Sequence, residues 1–323
     1  MSNYSKILVT GGAGFIGSYI VKRLLEDKFA VIVLDNFYSG LSSNIDCFRS
    51  NSNFKFVKGD ICDYDLVKNI LRDVDVVFHE AALTDIIESM KAPLLTNHFN
   101  VTGTLTLLKA CIRNNVKRFI YASSCAIYGD AGLQVREEAG YMPLSPYAAS
   151  KAAAESYVSA FNKAYDLDTV ILRYFNVYGN SQIRSSYAGV INCFINRLIQ
   201  NKPPIVYGDG EQTRDFVHVY DVVRANMLAL QNQGAVGETF NIGSGVAISI
   251  NRLCEKLCSI TGKENLKPVY KDARPGEVRH SSADITKAKA ILGYAPSISI
   301  NDGLISLVNE ITQKTCSFGI STL

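Results

Sequence analysis

The chain has 323 residues, of which 47% are hydrophobic and 20% charged, a composition typical of a folded globular protein and not of a disordered one. With 33 basic and 30 acidic side chains the formal net charge is only +3, and no block of Lys and Arg is present, so nucleic acid is not an expected partner. The first six residues are polar and no stretch is apolar for long enough to span a bilayer, so we expect no signal peptide, no membrane partner and a cytoplasmic location.

Short apolar runs rich in β-branched residues alternate with amphipathic segments in the first half of the chain. The runs predict strands at Lys6–Thr10, Ala30–Leu34, Phe54–Val57, Val74–His79 and Arg118–Ala122. The segments between them predict helices at Phe15–Asp27, Asp65–Leu71 and Leu94–Asn114. Repeated strand–helix–strand units are typical of the α/β class, with a doubly wound, Rossmann-type parallel sheet that carries helices on both faces.

The alternation continues with a helix at Tyr147–Tyr165 and a strand at Thr169–Arg173. Beyond residue 180, Gly, Pro and Asn interrupt shorter elements. We therefore predict a first domain at residues 1–175, to which parts of the later chain return, and a smaller, interleaved C-terminal lobe at residues 176–323.

The eight cysteines are scattered through the chain without paired spacing. Cys254 and Cys258 lie one helical turn apart, which is compatible with a metal site, but no His or acidic cluster completes one. The favoured interpretation is buried thiols, no metal and a reducing compartment.

A glycine-rich segment, Gly11 to Gly17, directly follows the first predicted strand and begins the first helix. Gly11, Gly14 and Gly17 allow a tight turn through which the backbone can approach a pyrophosphate at the positive end of the helix. Such a segment alone is a weak signal. The strand before it and the helix after it make it a predicted dinucleotide site.

Asp35 ends the second predicted strand, at the distance from the glycines expected of a residue that binds the adenosine ribose. A carboxylate there would repel a 2′-phosphate, and no basic residue lies within several positions of it, so NAD is predicted rather than NADP. Asp60 and Ile61 follow the third strand and are predicted to border the adenine. Taken alone, Asp60 is equally compatible with a helix cap.

Ser124 follows the strand around Ile120, and Tyr147 and Lys151 are four residues apart on one face of a predicted helix. Tyrosine has an ordinary pKa near ~10, and a neighbouring ammonium together with an oxidised nicotinamide would favour its phenolate. We predict that Tyr147 is the general base, that Lys151 lowers its pKa, and that Ser124 binds the same hydroxyl of the substrate. The pattern Y-x-x-x-K is also common on plain helix surfaces.

From about Lys6 to Val308 the chain resembles the extended short-chain dehydrogenase/reductase superfamily, and within it the UDP-sugar 4-epimerases. The motifs that carry the resemblance are VTGGAGFIGS (9–18), LDNFYSG (34–40), GDI (59–61), FHEAA (78–82), NVTGT (100–104), YASSCAIYG (121–129), SPYAASK (145–151), LRYFNVYG (172–179), GDGEQTRDFVHVYD (208–221) and RPGEVRHSSAD (274–284). The resemblance implies that the cofactor also contacts Phe15, Ile16, Asn36, Ser39, Gly40, Ala81, Ala82, Asn100 and Phe175, besides Tyr147 and Lys151.

On the substrate side the resemblance implies that Asn176 and Arg214 hold a diphosphate, with Arg274 and Glu277 near the phosphate and ribose of the nucleotide. Two guanidinium groups suit a dianion in a chain of such small net charge. The segments Tyr187–Ile191 and Ile205–Tyr207, with Val190, Val206 and Tyr207, resemble those that pack around uracil. Ser281 matches a position that walls the sugar pocket, where a small residue admits an N-acetyl group; a plain loop serine is the alternative.

The resulting hypothesis is 4-epimerisation of a UDP-hexose with NAD as cofactor, by a homodimer that pairs through the helices at Leu94–Asn114 and Tyr147–Tyr165. A 4,6-dehydratase is disfavoured because Cys125 and Ala126, and no acidic pair, follow Ser124. UDP-glucuronate is disfavoured by Asn176. A non-catalytic, NAD-sensing relative is disfavoured because Tyr147 and Lys151 are both present.

Three positions depart from the family pattern. Asp85 would repel a diphosphate if its carboxylate points inward. Asn180 and Ser181 replace a Pro-Arg pair and remove one anion contact. Glu80 is uncommon beside the cofactor loop, and we expect it to face solvent.

Overall fold

A computed structural model describes residues 4–180, 189–273 and 278–318, with side chains described as far as residue 313. The first half contains β1 (Lys6–Thr10), α1 (Phe15–Glu26), β2 (Ala30–Asp35), β3 (Phe54–Lys58), α2 (Tyr64–Ile70), β4 (Val76–His79), α3 (Ile86–Lys91), α4 (Pro93–Asn97), α5 (Gly103–Arg113), β5 (Arg118–Ser124), α6 (Pro146–Tyr165) and β6 (Asp168–Tyr174). The second half contains β7 (Asn176–Tyr178), α7 (Val190–Ile199), β8 (Ile205–Tyr207), β9 (Thr213–His218), α8 (Val219–Gln231), β10 (Thr239–Ile242), β11 (Ala247–Ser249), α9 (Ile250–Ile260), β12 (Val269–Lys271), β13 (His280–Ser281) and α10 (Ile300–Phe318).

Seven parallel strands form the large sheet, in the order β10-β6-β5-β4-β1-β2-β3. The order reverses at β1, which lies between β2 and β4, so the crevice above the carboxyl ends of these strands is where a doubly wound sheet binds its ligands. The predicted fold class, an α/β fold with a doubly wound parallel sheet, is confirmed.

The central strands of the large sheet are buried on both faces, which explains their apolar runs. One face packs against α1 and α8, and its core includes Val9, Val33 and Ile120. The other face packs against α2, α5 and α6.

Two smaller sheets lie outside the large one. β9 pairs with β7, β11 and β13, and β8 pairs with β12. A third apolar core joins α7, α9 and α10 to these strands. Because β10 belongs to the large sheet, the chain leaves that sheet after β6 and returns to it.

The helix predicted at Leu94–Asn114 is interrupted. α4 ends at Asn97, a wider π-type turn spans His98–Thr102, and α5 begins at Gly103. Within that turn Asn100 is buried and its side chain bonds the backbone of Leu83 and the hydroxyl of Ser150. A periodicity argument counts apolar positions and does not detect an inward polar residue of this kind.

Candidate active site

The glycine-rich segment forms a close-packed turn between β1 and α1. Gly11 has a φ of +68°, and a Cβ on it would lie 2.6 Å from the backbone nitrogen of Ala81. A Cβ on Gly17 would lie 2.3 Å from the carbonyl oxygen of Gly11. Gly14 is the N-cap of α1, so the first amides of that helix are available to an anion. The turn therefore fits a pyrophosphate.

Asp35 connects this turn to the loop after β2. Its two carboxylate oxygens accept hydrogen bonds from the backbone amides of Ala13, at 3.0 Å, and Phe37, at 2.8 Å. A Cβ on Gly40 would lie 3.0 Å from both of those oxygens. Burial raises the pKa of Asp35, while the two amides lower it. Asp35 thus holds the glycine turn and the loop after β2 together, and a side chain at position 40 would collide with its carboxylate.

Asp60 lies beside Asn36 at the next strand end. The amide of Asn36 donates to Asp60 at 3.1 Å, and the other carboxylate oxygen of Asp60 accepts from the amide of Cys62 at 2.8 Å. The cap of α2 is Asp63, which accepts from Leu66. The alternative in which Asp60 caps the helix is therefore wrong.

The other residues predicted to contact the cofactor surround the same crevice. Phe15 and Ile16 form the first turn of α1, and Ala81 and Ala82 follow β4. Ile61 and Phe175 are buried, whereas Ser39 is exposed. Asn100 uses its amide on the loop at Leu83, so it supports that loop from behind.

Ser124, Tyr147 and Lys151 line one cavity of about 150 Å³ at the carboxyl ends of β4, β5 and β6. Ile16, Ala82 and Phe175 line it as well. The structure therefore brings the three predicted catalytic side chains together beside predicted cofactor residues. Other lining residues had no predicted role: Glu80, Thr84, Ala122, Ser123, Tyr174 and Val177.

Lys151 is held in a fixed position. It is 3% exposed, its ammonium donates to the carbonyl of Ala122 at 2.7 Å, and it lies 4.9 Å from the centre of the Tyr121 ring. Burial lowers the pKa of Lys151 to about 8, although Glu80 and Glu155 act in the opposite direction. The ammonium form therefore still predominates at neutral pH.

The two serines at the end of β5 form hydrogen bonds with different partners. Ser123 donates to the buried carboxylate of Glu155 at 2.6 Å, while Ser124 accepts from the amide of Ala126 and caps the short turn at Cys125–Tyr128. Alternation of side chains along a strand accounts for the difference. Ser124 is the half-buried one and can offer its hydroxyl to a ligand.

Glu80 does not face solvent, and that expectation was wrong. It lines the cavity, and its carboxylate accepts a hydrogen bond from the hydroxyl of Tyr174 at 2.9 Å. Burial raises the pKa of Glu80 to about 7, against the lowering effects of Tyr174 and Lys151. The cavity thus contains a carboxylate, although none follows Ser124. Its position directly after β4, at the ligand-binding edge of the sheet, was the signal that could have identified it.

Three residues predicted to bind the substrate lie on neighbouring strands of the β9 sheet. Ser281 is opposite Arg214, and Asn176 is opposite Phe216, two residues further along β9. Because side chains alternate along a strand, Asn176, Arg214 and Ser281 share one face of this sheet. The hydroxyl of Ser281 also contacts the thiol of Cys125 at 3.8 Å, which places this face beside the short turn that follows Ser124.

The remaining predicted substrate residues belong to the lobe around α7 and β8. Val190 begins α7 and Tyr207 ends β8, and both are half-buried. Val206 is 1% exposed and belongs to the third core, so only its main chain could reach a ligand. Arg274, Glu277 and Tyr187 lie outside the described residues.

Two of the departures from the family pattern have local partners. The carboxylate of Asp85 caps α3 by accepting from the amide of Glu88 at 3.0 Å, so it is turned toward its own helix. Asn180 donates to Glu310 on α10. Ser181 lies outside the described residues.

Within the described part of the chain, no group of three or more His, Cys, Asp or Glu side chains could hold a metal ion. Cys254 and Cys258 are buried, and burial raises the pKa of each thiol. Over the same residues, no helix has the length and apolar character needed to cross a membrane.

Residues 7–243, which hold the glycine turn and the cavity, match the NAD dependent epimerase/dehydratase family. The chain belongs to this family. A putative UDP-glucose 4-epimerase of Methanocaldococcus jannaschii is 41% identical over 94% of this chain and 97% of its own length. The structure of UDP-glucose 4-epimerase from Thermotoga maritima with UDP-glucose is 40% identical, with a TM-score of 0.90 over 96% of this chain and 99% of its own. UDP-N-acetylglucosamine 4-epimerase from Methanobrevibacter ruminantium M1 is 37% identical, with a TM-score of 0.90 over 97% and 100%.

Members of the family use NAD, and related structures contain it, for example UDP-glucuronic acid 4-epimerase from Bacillus cereus, which is 35% identical with a TM-score of 0.90 over 96% of this chain and 99% of its own. The predicted cofactor is thus confirmed at the level of the family. Relatives of comparable identity also include dTDP-glucose 4,6-dehydratases. Membership therefore establishes sugar-nucleotide chemistry with NAD, but not one sugar or one outcome.

Proposed function

We propose that the chain is a UDP-sugar 4-epimerase that acts through a 4-keto intermediate. The observation that carries the proposal is the cavity in which Ser124, Tyr147 and Lys151 meet, next to the glycine turn and Asp35. We further propose the division into an NAD-binding domain at 1–175 and a substrate lobe at 176–323.

In the proposed mechanism, Tyr147 removes the proton of the sugar 4-hydroxyl and later returns a proton to the ketone oxygen. Bound NAD supplies the hydride acceptor and donor for this carbon. Lys151, held by the carbonyl of Ala122, provides the positive charge that favours the phenolate of Tyr147. Ser124 donates to the same sugar oxygen and keeps it oriented while the sugar turns over.

The substrate is proposed to be a UDP-hexose because of the β9 sheet. Arg214 is half-buried on the face that it shares with Asn176 and Ser281, where a guanidinium can bind a diphosphate. The contact of Ser281 with Cys125 puts the sugar end of such a ligand beside Ser124.

The test is conversion of UDP-galactose, and separately of UDP-N-acetylgalactosamine, by the purified protein without added NAD. Chromatography is expected to show the gluco epimer of each, because the cofactor is regenerated in every cycle and remains bound. Conversion of UDP-glucuronate alone would move the substrate to the uronate. If no sugar nucleotide is converted while NAD is bound, the non-catalytic, NAD-sensing alternative is supported.

Ser281→Tyr is expected to abolish conversion of the N-acetylated sugars and to leave conversion of UDP-galactose within about threefold, since a bulky ring would occupy the room needed by the acetamido group. The control is Ser281→Ala, which keeps the side chain small and should retain both activities. The neighbouring Ser282 is buried, so Ser282→Tyr would disturb packing and is not a suitable comparison. Equal loss of both activities in Ser281→Tyr would refute a selective gate.

A second candidate is 4,6-dehydration, favoured by one observation, the carboxylate of Glu80 inside the cavity. Elimination of water needs an acid and a base besides Tyr147, and Glu80 is the one carboxylate among the described lining residues. Epimerisation is therefore preferred. Incubation with UDP-glucose and with dTDP-glucose distinguishes the two, because a dehydratase releases a 4-keto-6-deoxy sugar nucleotide.

We also propose a homodimer that pairs through α4, α5 and α6. Large apolar side chains are exposed in this region, including Leu94 at 86% and Tyr157 at 42%. Light scattering is expected to give the mass of a dimer for the natural protein and of a monomer for Leu94→Asp. Ile305→Asp, a matched change at a 45% exposed position of α10, should remain dimeric. A monomeric natural protein would refute the proposal.

A further inference from the structure

Glu80 is the carboxylate of the cavity, and three elements determine its environment. The hydroxyl of Tyr174 on β6 donates to it at 2.9 Å, and that hydroxyl in turn accepts from the amide of Asn226 on α8 at 2.7 Å. Because Asn226 is the donor to Tyr174, the tyrosine hydrogen is directed at Glu80. Lys151 and Tyr147 approach from α6 and line the same cavity. Glu80 therefore accepts this hydrogen bond, which favours its ionised form.

The position of Glu80 in the sheet relates it to the cofactor. In a doubly wound sheet the two halves of a dinucleotide lie on opposite sides of the point where strand order reverses. Asp35 ends β2 and Asp60 follows β3, on the adenosine side. Glu80 follows β4, and the cavity extends over β5 and β6, on the nicotinamide side. The carboxylate thus belongs to the half of the site in which the redox change occurs.

We propose that Glu80 sets the redox balance of the bound cofactor by favouring the oxidised, cationic nicotinamide over the neutral, reduced form. Reduction adds two electrons and one proton to the ring as hydride, taken from the sugar C4, and removes its positive charge. The proton of the sugar hydroxyl goes to Tyr147. A nearby negative charge stabilises the ring only before reduction, so it promotes return of the hydride to the keto sugar.

The neighbouring charges explain why such a residue is useful. The ammonium of Lys151 lies in the same cavity and, acting alone, disfavours a cationic ring. The carboxylate of Glu80 offsets that positive charge, and the titratable side chains of Tyr147 on α6 and Tyr174 on β6 line the same cavity. An epimerase that loses its keto sugar after reduction is trapped with reduced cofactor, and the carboxylate opposes this trapped state.

The test is a redox titration of the purified holoenzyme in the absence of sugar. Protein with bound cofactor is equilibrated with a reference dye couple, and the reduced nicotinamide is followed by its absorbance and fluorescence. In Glu80→Gln the ratio of reduced to oxidised cofactor at a given potential is expected to rise about tenfold, which for a two-electron couple is a shift of about 30 mV. Glu255→Gln removes an exposed carboxylate on α9 and should leave the ratio unchanged.

Two further observations separate this role from a merely structural one. The difference between natural protein and Glu80→Gln should shrink as the pH falls below about 7, where Glu80 itself becomes protonated. Glu80→Asp, which keeps the charge, should restore most of the natural ratio. A structural defect alone would lower cofactor content or stability without this dependence on pH.

An unchanged or lowered ratio in Glu80→Gln would overturn the proposal. If that variant does not fold, Tyr174→Phe replaces it, because loss of the hydrogen bond to Glu80 disfavours the ionised carboxylate and should raise the ratio in the same direction. The inference rests on the proposed NAD-binding cavity. Because no sugar is present in the titration, a negative result there is distinguishable from a failure of the protein to epimerise UDP-sugars.

Discussion

Tyr147→Phe is expected to lower the rate of epimerisation by about 10³-fold, within the range typical of general acid–base catalysis. The change removes only the hydroxyl oxygen, and the ring, which is 9% exposed, keeps its packing in the first turn of α6. Without the hydroxyl no group takes the proton of the sugar 4-hydroxyl, while the glycine turn and Asp35 still hold the cofactor. Steady-state rates and the NAD content of the purified variant measure the two effects separately.

The matched control for this prediction is Tyr157→Phe on the same helix. Tyr157 is 42% exposed and lies outside the cavity, so its loss of a hydroxyl should leave the rate within about twofold of the natural protein. A Tyr147→Phe variant that retains NAD and more than about a tenth of the natural rate would show that another group performs the proton transfer.

Arg173→Met is expected to lower the free energy of unfolding by about 3–5 kcal/mol. The guanidinium of Arg173 and the carboxylate of Glu155 form a buried ion pair, with side chains 5% and 2% exposed. Ser123 and Tyr141 also donate to Glu155, and Arg173 donates to Tyr128 and to the carbonyl of Glu137. Removal of the cation leaves the carboxylate buried without its main partner, which is costly in a medium of low polarity.

Urea unfolding at one fixed NAD concentration gives the measurement, because ligand binding also stabilises the folded state. Arg252→Met is the control: its pair with Glu255 is exposed, at 62% and 64%, and should contribute about 0–1 kcal/mol. In Arg173→Met with Glu155→Leu neither charge of this pair remains buried, and much of the lost stability should return. Equal effects of Arg173→Met and Arg252→Met would contradict the special role of the buried pair.

The sheet could be predicted from the sequence because its strands are buried on both faces. The central positions of these strands are apolar on both faces, so the predicted bounds of β1, β2 and β5 differ from the observed ones by two residues or fewer. The glycine turn was equally readable, since a Cβ at Gly11 or Gly17 would collide with backbone. In both cases neighbouring residues in the sequence determine the local structure, so the sequence alone is sufficient to predict it.

Other parts of the site depend on tertiary structure. Asn176, Arg214 and Ser281 come from three strands far apart in the sequence, and only the register of β9 with its neighbours puts them on one face. Glu80 was misplaced because a charged residue after a strand usually faces solvent, and its partner Tyr174 is 94 residues away. The interruption of the helix at His98–Thr102 likewise follows from the bonds of Asn100 to a distant loop.

The return of β10 to the large sheet has a consequence for how the protein is made. β6 pairs with β5 on one side and with β10 on the other, so its second edge stays unpaired until Thr239–Ile242 has left the ribosome. An unpaired apolar strand edge is a template for aggregation. The edge of β6 therefore stays unpaired while the whole of β7 to α8 is synthesised, and the large sheet is completed only when β10 has emerged, with β11 to α10 still to follow.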